Sequence, residues 1–227
     1  MRLIKRIATY LFLSVAAFIS IFPFIWMVIS MTNKSVDVTR GRLLPGTHFI
    51  ENITTLFETQ NIGTALTNSF IVAIITTILT LLIGSLAGYG FEIYRTKRKD
   101  VVFSILILSM MIPFAAIMIP LYRFFGQVSS VAPAFGIDTL AAVIMPTVIT
   151  AFFIFFFRQN TKLFARDLVE AGRMDGLSEL GIFFKIYVPT MKTTYAAAAI
   201  IAFMNSWNNY LWPLVVLQSS RNQTIPL

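Results

Sequence analysis

Three amides and three large aromatic rings stand within eight residues near the end of this chain: Asn205, Trp207, Asn208, Asn209, Tyr210 and Trp212. Amides exchange hydrogen bonds with hydroxyl groups, and an indole face covers an apolar ring face. The cluster therefore carries the groups that hold a polyhydroxylated ligand in an apolar cavity. On one continuous helix Asn205, Asn208, Asn209 and Trp212 share a side, at spacings of three and four. Two other readings stay open: interhelical hydrogen bonds for the asparagines, and an interfacial aromatic belt for Trp207, Tyr210 and Trp212.

Catalytic chemistry is poorly supplied. There is no cysteine and a single histidine, His48, so disulfides, thiolate sites and histidine metal clusters are excluded. None of the 11 glycines precedes a lysine, so no phosphate-binding loop is present to hold ATP. No catalytic or metal-binding residue and no bound cofactor is expected.

The elements that position these groups belong in a bilayer. Of the 227 residues 57% are hydrophobic and 12% charged, against about a quarter charged in soluble domains. Uncharged runs cover residues 7–31, 59–91, 101–122, 139–157 and 193–220, each near or above the roughly 20 residues that span hydrocarbon. They lack the alternation of barrel strands, and the first exceeds the ~7–15 apolar residues of a signal peptide. The expected fold is an all-α polytopic membrane protein, one domain over 1–227, with spans near 9–31, 68–92, 101–125, 139–158 and 193–217 and a polar segment at 159–192. Prolines at 23, 113, 120, 146 and 213 fall within or near these spans, favouring kinks. Gly84 and Gly88, and the alanines at 196–199 and 202, offer small faces for close helix packing.

The net charge of +8 reports topology, not a nucleic-acid partner. Thirteen of 18 Lys and Arg lie before the first span, at 95–99 and at 158–192. The positive-inside rule makes those segments, and the N-terminus, cytoplasmic. Span interiors lack ionisable residues, which argues against an ion-coupled carrier and for a neutral substrate. A nucleophile, base or metal ligand at membrane depth is likewise missing, which argues against an intramembrane enzyme.

Segment 159–192 is too polar for lipid and too long for a mere connector. Its pattern predicts a helix over 167–174, a turn at Gly176, and a second helix capped by Ser178 before Pro189. Two short helices meeting at a glycine form a knob on the cytoplasmic side.

At this knob the chain resembles the permease signature of ABC importers: Glu-Ala-Ala, three residues, Gly, nine residues, Ile, any residue, Leu-Pro. Glu170, Ala171, Gly172, Asp175, Gly176, Ile186 and Pro189 keep its spacing, with Gly172 and Val188 as departures in identity. Residues 65–69, 111–113, 119–122 and 207–214 are similar to the maltose-type subfamily of sugar permeases. The resemblance implies a transmembrane permease subunit in the prokaryotic cytoplasmic membrane, importing a sugar of the di- or oligosaccharide class by alternating access. It further implies a second homologous permease subunit, an extracytoplasmic sugar-binding protein, and an ABC ATPase dimer that uses ATP and Mg and is gripped by the 167–189 knob. Family members have six spans, so a missing sixth span and a truncated C-terminus are expected here. The rival reading is an uncoupled channel or facilitator.

Overall fold

An uncharged run in lipid satisfies its own backbone groups only by coiling into a helix. Helices accordingly dominate the computed structural model, which describes residues 2–227 and holds no strand among them. The chain divides into two units, Met1–Ile62 and Gly63–Leu227.

In the first unit α1 (Arg2–Met31) is a 30-residue helix with no buried residue. At 1.5 Å per residue it is about 45 Å long, ample for a bilayer. Two short helices come next, α2 (Ser35–Thr39) and α3 (Phe49–Thr59). Asn33 and Asn52 fold this segment back on the end of α1: the Asn33 amide donates to the Leu44 carbonyl at 2.9 Å and Asn52 to the Met31 carbonyl at 2.9 Å.

The second unit is built around α4 (Ile62–Ile93), which is unbroken. The remaining apolar runs are all interrupted. They form α5 (Lys97–Ser109) and α6 (Phe114–Val131), then α7 (Leu140–Val148) and α8 (Ala151–Thr161), and finally α12 (Lys192–Trp207) and α13 (Leu211–Val216). Between α8 and α12 lie α9 (Asp167–Met174), α10 (Glu179–Ile182), a π-helical turn at Phe183–Tyr187 and α11 (Val188–Thr190).

Three helices, α1, α4 and α6, are each long and apolar enough to cross a membrane, and the α7–α8 pair, bent by 41°, is a fourth if it forms one span. The expected five spans therefore do not appear as five continuous helices among the described residues. Extended backbone at Pro113 splits the third, Ile149 and Thr150 leave helical geometry in the fourth, and residues 208–210 interrupt the fifth. Pro120 and Pro146 sit inside helices without ending them.

Small residues decide where these pieces meet. A Cβ on Gly88 would lie 2.6 Å from Phe157 Cβ and 2.7 Å from the Arg158 nitrogen, so α8 crosses α4 at a glycine. Ala198 and Ala202 of α12 close the other side of Phe153 and Phe157. A second cluster centres on Trp212, whose Nε1 donates to the Ala142 carbonyl at 2.9 Å.

Candidate functional site

The knob forms as its sequence dictates. Helix α9 ends where Gly176 takes φ +77°, the left-handed region open to glycine. Leu177 N donates to the Gly172 carbonyl and Gly176 N to the Arg173 carbonyl, both at 3.0 Å, the paired bonds of a Schellman cap. Ser178 then caps α10, its hydroxyl accepting from Gly181 N at 3.2 Å.

Beyond α10 the backbone departs from plain α-helix: one π turn at Phe183–Tyr187 swings Phe183 and Tyr187 inward together. Their rings pack on Tyr89 of α4 with centroids 5.3 and 4.8 Å away. Thr161 donates to the Phe157 carbonyl at 2.7 Å, so the 2.6 Å contact between the Tyr187 and Thr161 hydroxyls has Tyr187 as donor.

The signature residues divide into two sets. Glu170, Ala171, Asp175 and Pro189 are exposed, with Leu168, Met174 and Leu180 giving the same knob exposed apolar tips. Gly172 instead is buried, and a Cβ there would meet Ile186 Cδ1 at 2.8 Å and Ile182 Cγ1 at 3.0 Å. Gly172 and Ile186 thus hold the two arms of the knob together.

Charge fastens the knob to the membrane helices. Arg173 Nε donates to Glu179 Oε1 at 2.8 Å, and the Tyr94 hydroxyl donates to Glu179 Oε2. The Arg173 bond first, and the Tyr94 bond next, hold the Glu179 carboxyl below the usual carboxylate range.

Deeper in, Arg158 at the end of α8 donates through Nε to Glu92 Oε2 at 3.2 Å and through Nη2 to Asp100, with its guanidinium 4.0 Å from the Phe103 ring centre. Arg166, beside α9, reaches the Glu92 carbonyl at 3.2 Å and carboxylate at 3.3 Å. Arg158 lowers the Asp100 pKa, with Arg95 second. A lowered carboxylate stabilises the fold above its ordinary pKa near 4, and that contribution is lost as pH falls through the lowered value. In the sequence Arg158 counts only as one of the loop cations. The signal for its pairing is nevertheless there: Glu92 and Arg158 each close an uncharged run at the same end of the molecule.

At mid-helix depth lies a cavity of ≈ 260 Å³ lined from α4 by Thr76 and Thr80. All three helix breaks reach it: Phe114 from the first, Thr147 and Thr150 from the second, and Asn205 and Asn209 from the third. Broken helices are tolerated at membrane depth only against protein or a water-filled space.

Of the six residues expected on the substrate pathway, Asn205 and Asn209 line this cavity. Because the helix ends at Trp207, Asn205, Asn208, Asn209 and Trp212 do not share one continuous helical face. Trp207 packs on Phe70 at 4.9 Å and Phe203 at 5.6 Å, while Asn208 and Tyr210 are exposed. Trp212 is 0% exposed and belongs to the core.

An all-helical membrane protein with a cavity at its helix breaks and, at one end, a knob packed on the long helices with an exposed tip has the form of a transport permease. The chain belongs to the family of binding-protein-dependent transport system inner membrane components, whose model matches residues 80–226. It is a membrane-embedded transport subunit of such a system. It is 47% identical to the lactose transport system permease protein LacG of Rhizobium radiobacter over 226 residues, covering 100% of this chain and 81% of that one. It is 34% identical to the arabinooligosaccharides transport system permease protein AraQ of Bacillus subtilis, covering 99% and 79%. A crystal structure of a bacterial ABC transporter involved in the import of the acidic polysaccharide alginate shares the fold, with a TM-score of 0.83 at 22% identity, covering 96% of this chain and 76% of that one.

Proposed function

We propose that the chain is one of two permease subunits of an ATP-driven importer for a neutral sugar, coupled to a separate ATPase dimer through the knob at 167–189. Its N-terminus and knob face the cytoplasm, and a soluble sugar-binding protein delivers substrate from the other side. ATP and Mg act in the ATPase, not in this chain.

One observation carries the reading: a knob pinned to the membrane helices by Glu92, Arg158 and Arg166 leaves its own tip, Leu168, Glu170, Ala171 and Met174, uncovered. A part rigidly joined to the transmembrane helices and bare at its apolar end is suited to receiving a push from a partner. ATP-driven closure of the ATPase pair would then rock the two permeases between inward- and outward-facing states. The sugar assignment is supported by the names of the relatives and by a largely apolar cavity whose lining includes Asn205, Asn209 and several threonines beside Phe114, Phe152 and Phe153, with no ionisable group.

The test is uptake of labelled lactose and arabinotriose into proteoliposomes holding the complete transporter, with and without ATP. Uptake of at least one that requires ATP is expected. Gly176→Trp is expected to abolish it and to release the ATPase in a pull-down. Uptake without ATP, with no copurifying ATPase, would instead identify a facilitator.

A further inference from the structure

One amphipathic helix outside the spans has a bare apolar face. At about 100° per residue, Phe49, Ile50, Ile53, Leu56 and Phe57 of α3 fall within one arc of about 120°. Glu51, Asn52, Thr54, Thr55, Glu58 and Thr59 fill the rest of its circumference. That pattern ordinarily marks a helix packed on a core, yet α3 buries none of its residues, and Ile50 and Phe57 are 71% and 62% exposed. An uncovered stripe of this kind belongs against something apolar.

The place of α3 in the chain says what that is. Its start is tied to the end of α1: His48 N donates to the Thr32 carbonyl at 2.9 Å, and the Asn52 amide donates to the Met31 and Asn33 carbonyls at 2.9 and 3.0 Å. Lys5 and Arg6 are the last charges before the uncharged run of α1, residues 7–31. That run rises about 37 Å, or ~35 Å at an ordinary tilt of about 20°, against ~30 Å of hydrocarbon and ~40–45 Å of whole bilayer. With Arg6 at one edge of the hydrocarbon, Met31 stands about 5 Å beyond the other, within the headgroup layer. Helix α3 therefore starts at the boundary between lipid and water. Gln60 and Asn61 alone separate its end from α4, the next span, so both its ends are held to the same side of the membrane. Asn52 lies about 100° around α3 from the middle of the apolar arc, so the end of α1 stands beside α3 and leaves the arc free to face lipid.

We infer that α3 lies flat in the membrane interface at the end of α1 opposite the N-terminus, its apolar arc sunk among zwitterionic phospholipids and its polar side in water. Interfacial helices hold through apolar area and, where they carry Lys or Arg, through anionic lipid as well. The charged residues of α3 are Glu51 and Glu58, with no cation, so apolar area alone holds it and a lipid without net charge suits it best. Its arc continues the lipid-facing surface of α1, which has no buried residue. Lying there, α3 sets the depth of α1, whose uncharged run is longer than the hydrocarbon it crosses. This placement requires that α1 span the membrane, whatever the cargo.

The chain has no cysteine, so one bimane label can be placed at a time. Ile53→Cys and Phe57→Cys put it on the arc, Thr54→Cys and Glu58→Cys on the polar side. The complete transporter is held in phosphatidylcholine nanodiscs, which are open on both faces. Labels on the arc should lose fluorescence to a nitroxide carried high on the lipid acyl chain and keep it in iodide, and labels on the polar side should do the reverse. Added phosphatidylglycerol or salt should leave that pattern unchanged. Equal quenching of all four by iodide would place α3 in water. Shielding of the arc from both quenchers would mean that another protein chain covers it, and quenching of all four by the nitroxide would mean that the whole helix is immersed. Each of these results overturns the interfacial placement. Quenching by the nitroxide that appears only with phosphatidylglycerol overturns the assignment to neutral lipid.

Discussion

Arg158 has 6% of its side chain exposed, Glu92 has 5%, and the two are joined through the guanidinium to Asp100. Such a pair contributes little net stability compared with a well-packed apolar pair, but breaking one side of it is costly, because a charge is left buried alone. Arg158→Met should therefore destabilise the protein, by less than the ~3–5 kcal/mol of a fully orphaned buried charge, because Arg166 still reaches Glu92 at 3.3 Å. The double change Arg158→Met with Glu92→Gln should recover a substantial part, since no orphan charge remains. Arg158→Lys should fall between, keeping the charge but losing the fork that meets two carboxylates at once. Thermal unfolding of the purified protein in detergent ranks the three. If the double variant is no more stable than Arg158→Met, the buried charge is not what makes the single change costly.

At the scale of elements, the contact between α4 and α8 is a matter of missing atoms. Gly88→Ala sets a Cβ against Phe157 Cβ and a backbone nitrogen, neither of which can swing away, and should cost about 1–3 kcal/mol. Gly84→Ala meets Phe153 Cβ at 3.1 Å and should cost less. Gly90→Ala, on the same helix, meets nothing within 4 Å and should stabilise by about 0.5–1 kcal/mol through helix propensity. Melting midpoints ordered Gly90→Ala, wild type, Gly84→Ala, Gly88→Ala from high to low would bear this out. A fall for Gly90→Ala equal to that for Gly88→Ala would not fit.

The same elements separate what a sequence carries locally from what it does not. Helix α9, the Gly176 turn and the Ser178 cap are legible because each is decided within a few residues by caps and backbone conformation. The π turn is hidden, since it depends on packing Phe183 and Tyr187 against Tyr89, a residue about a hundred positions away. The break at 208–210 is only half legible: Pro213 removes the backbone donor that would bond the carbonyl of residue 209 and so favours a kink there, but nothing within Asn208, Asn209 and Tyr210 says that the helix stops at Trp207, and the sequence reads as one helical face of amides. The threonines of α4 draw no notice in the sequence because they look like ordinary polar steps on a membrane helix. Only the convergence of the three breaks gives them a neighbour.

For the molecule as a whole, the second unit has two polar ends that should face opposite sides of the membrane. One end holds the knob, with Glu92, Asp100 and Arg158 beneath it. The other is tied by Asp138, which adopts φ 61° and accepts from the backbones of Gln218 and Ser219 at 2.9 and 3.0 Å, and by Asn68, which donates to the Arg221 carbonyl at 3.0 Å. Partial burial works against ionising Asp138, yet its hydrogen bonds from Ser219 and Gln218 prevail and keep its carboxyl below the usual range. These ties are independent of the charge network at the first end, so each end is a separate reporter. Met174 is 88% exposed at the knob and Val131 is 86% exposed where α6 ends. With no native cysteine to interfere, Met174→Cys and Val131→Cys give one thiol at each end. In sealed right-side-out vesicles an impermeant maleimide should label Val131→Cys and leave Met174→Cys unlabelled until the membrane is opened. In inverted vesicles without the ATPase the pattern should reverse. Adding the ATPase should then shield Met174→Cys, because the knob's bare tip is the surface it would cover. Labelling of Met174→Cys from outside would reverse the topology inferred from the distribution of Lys and Arg, and would leave the knob on the wrong side of the membrane to meet any ATP-driven partner.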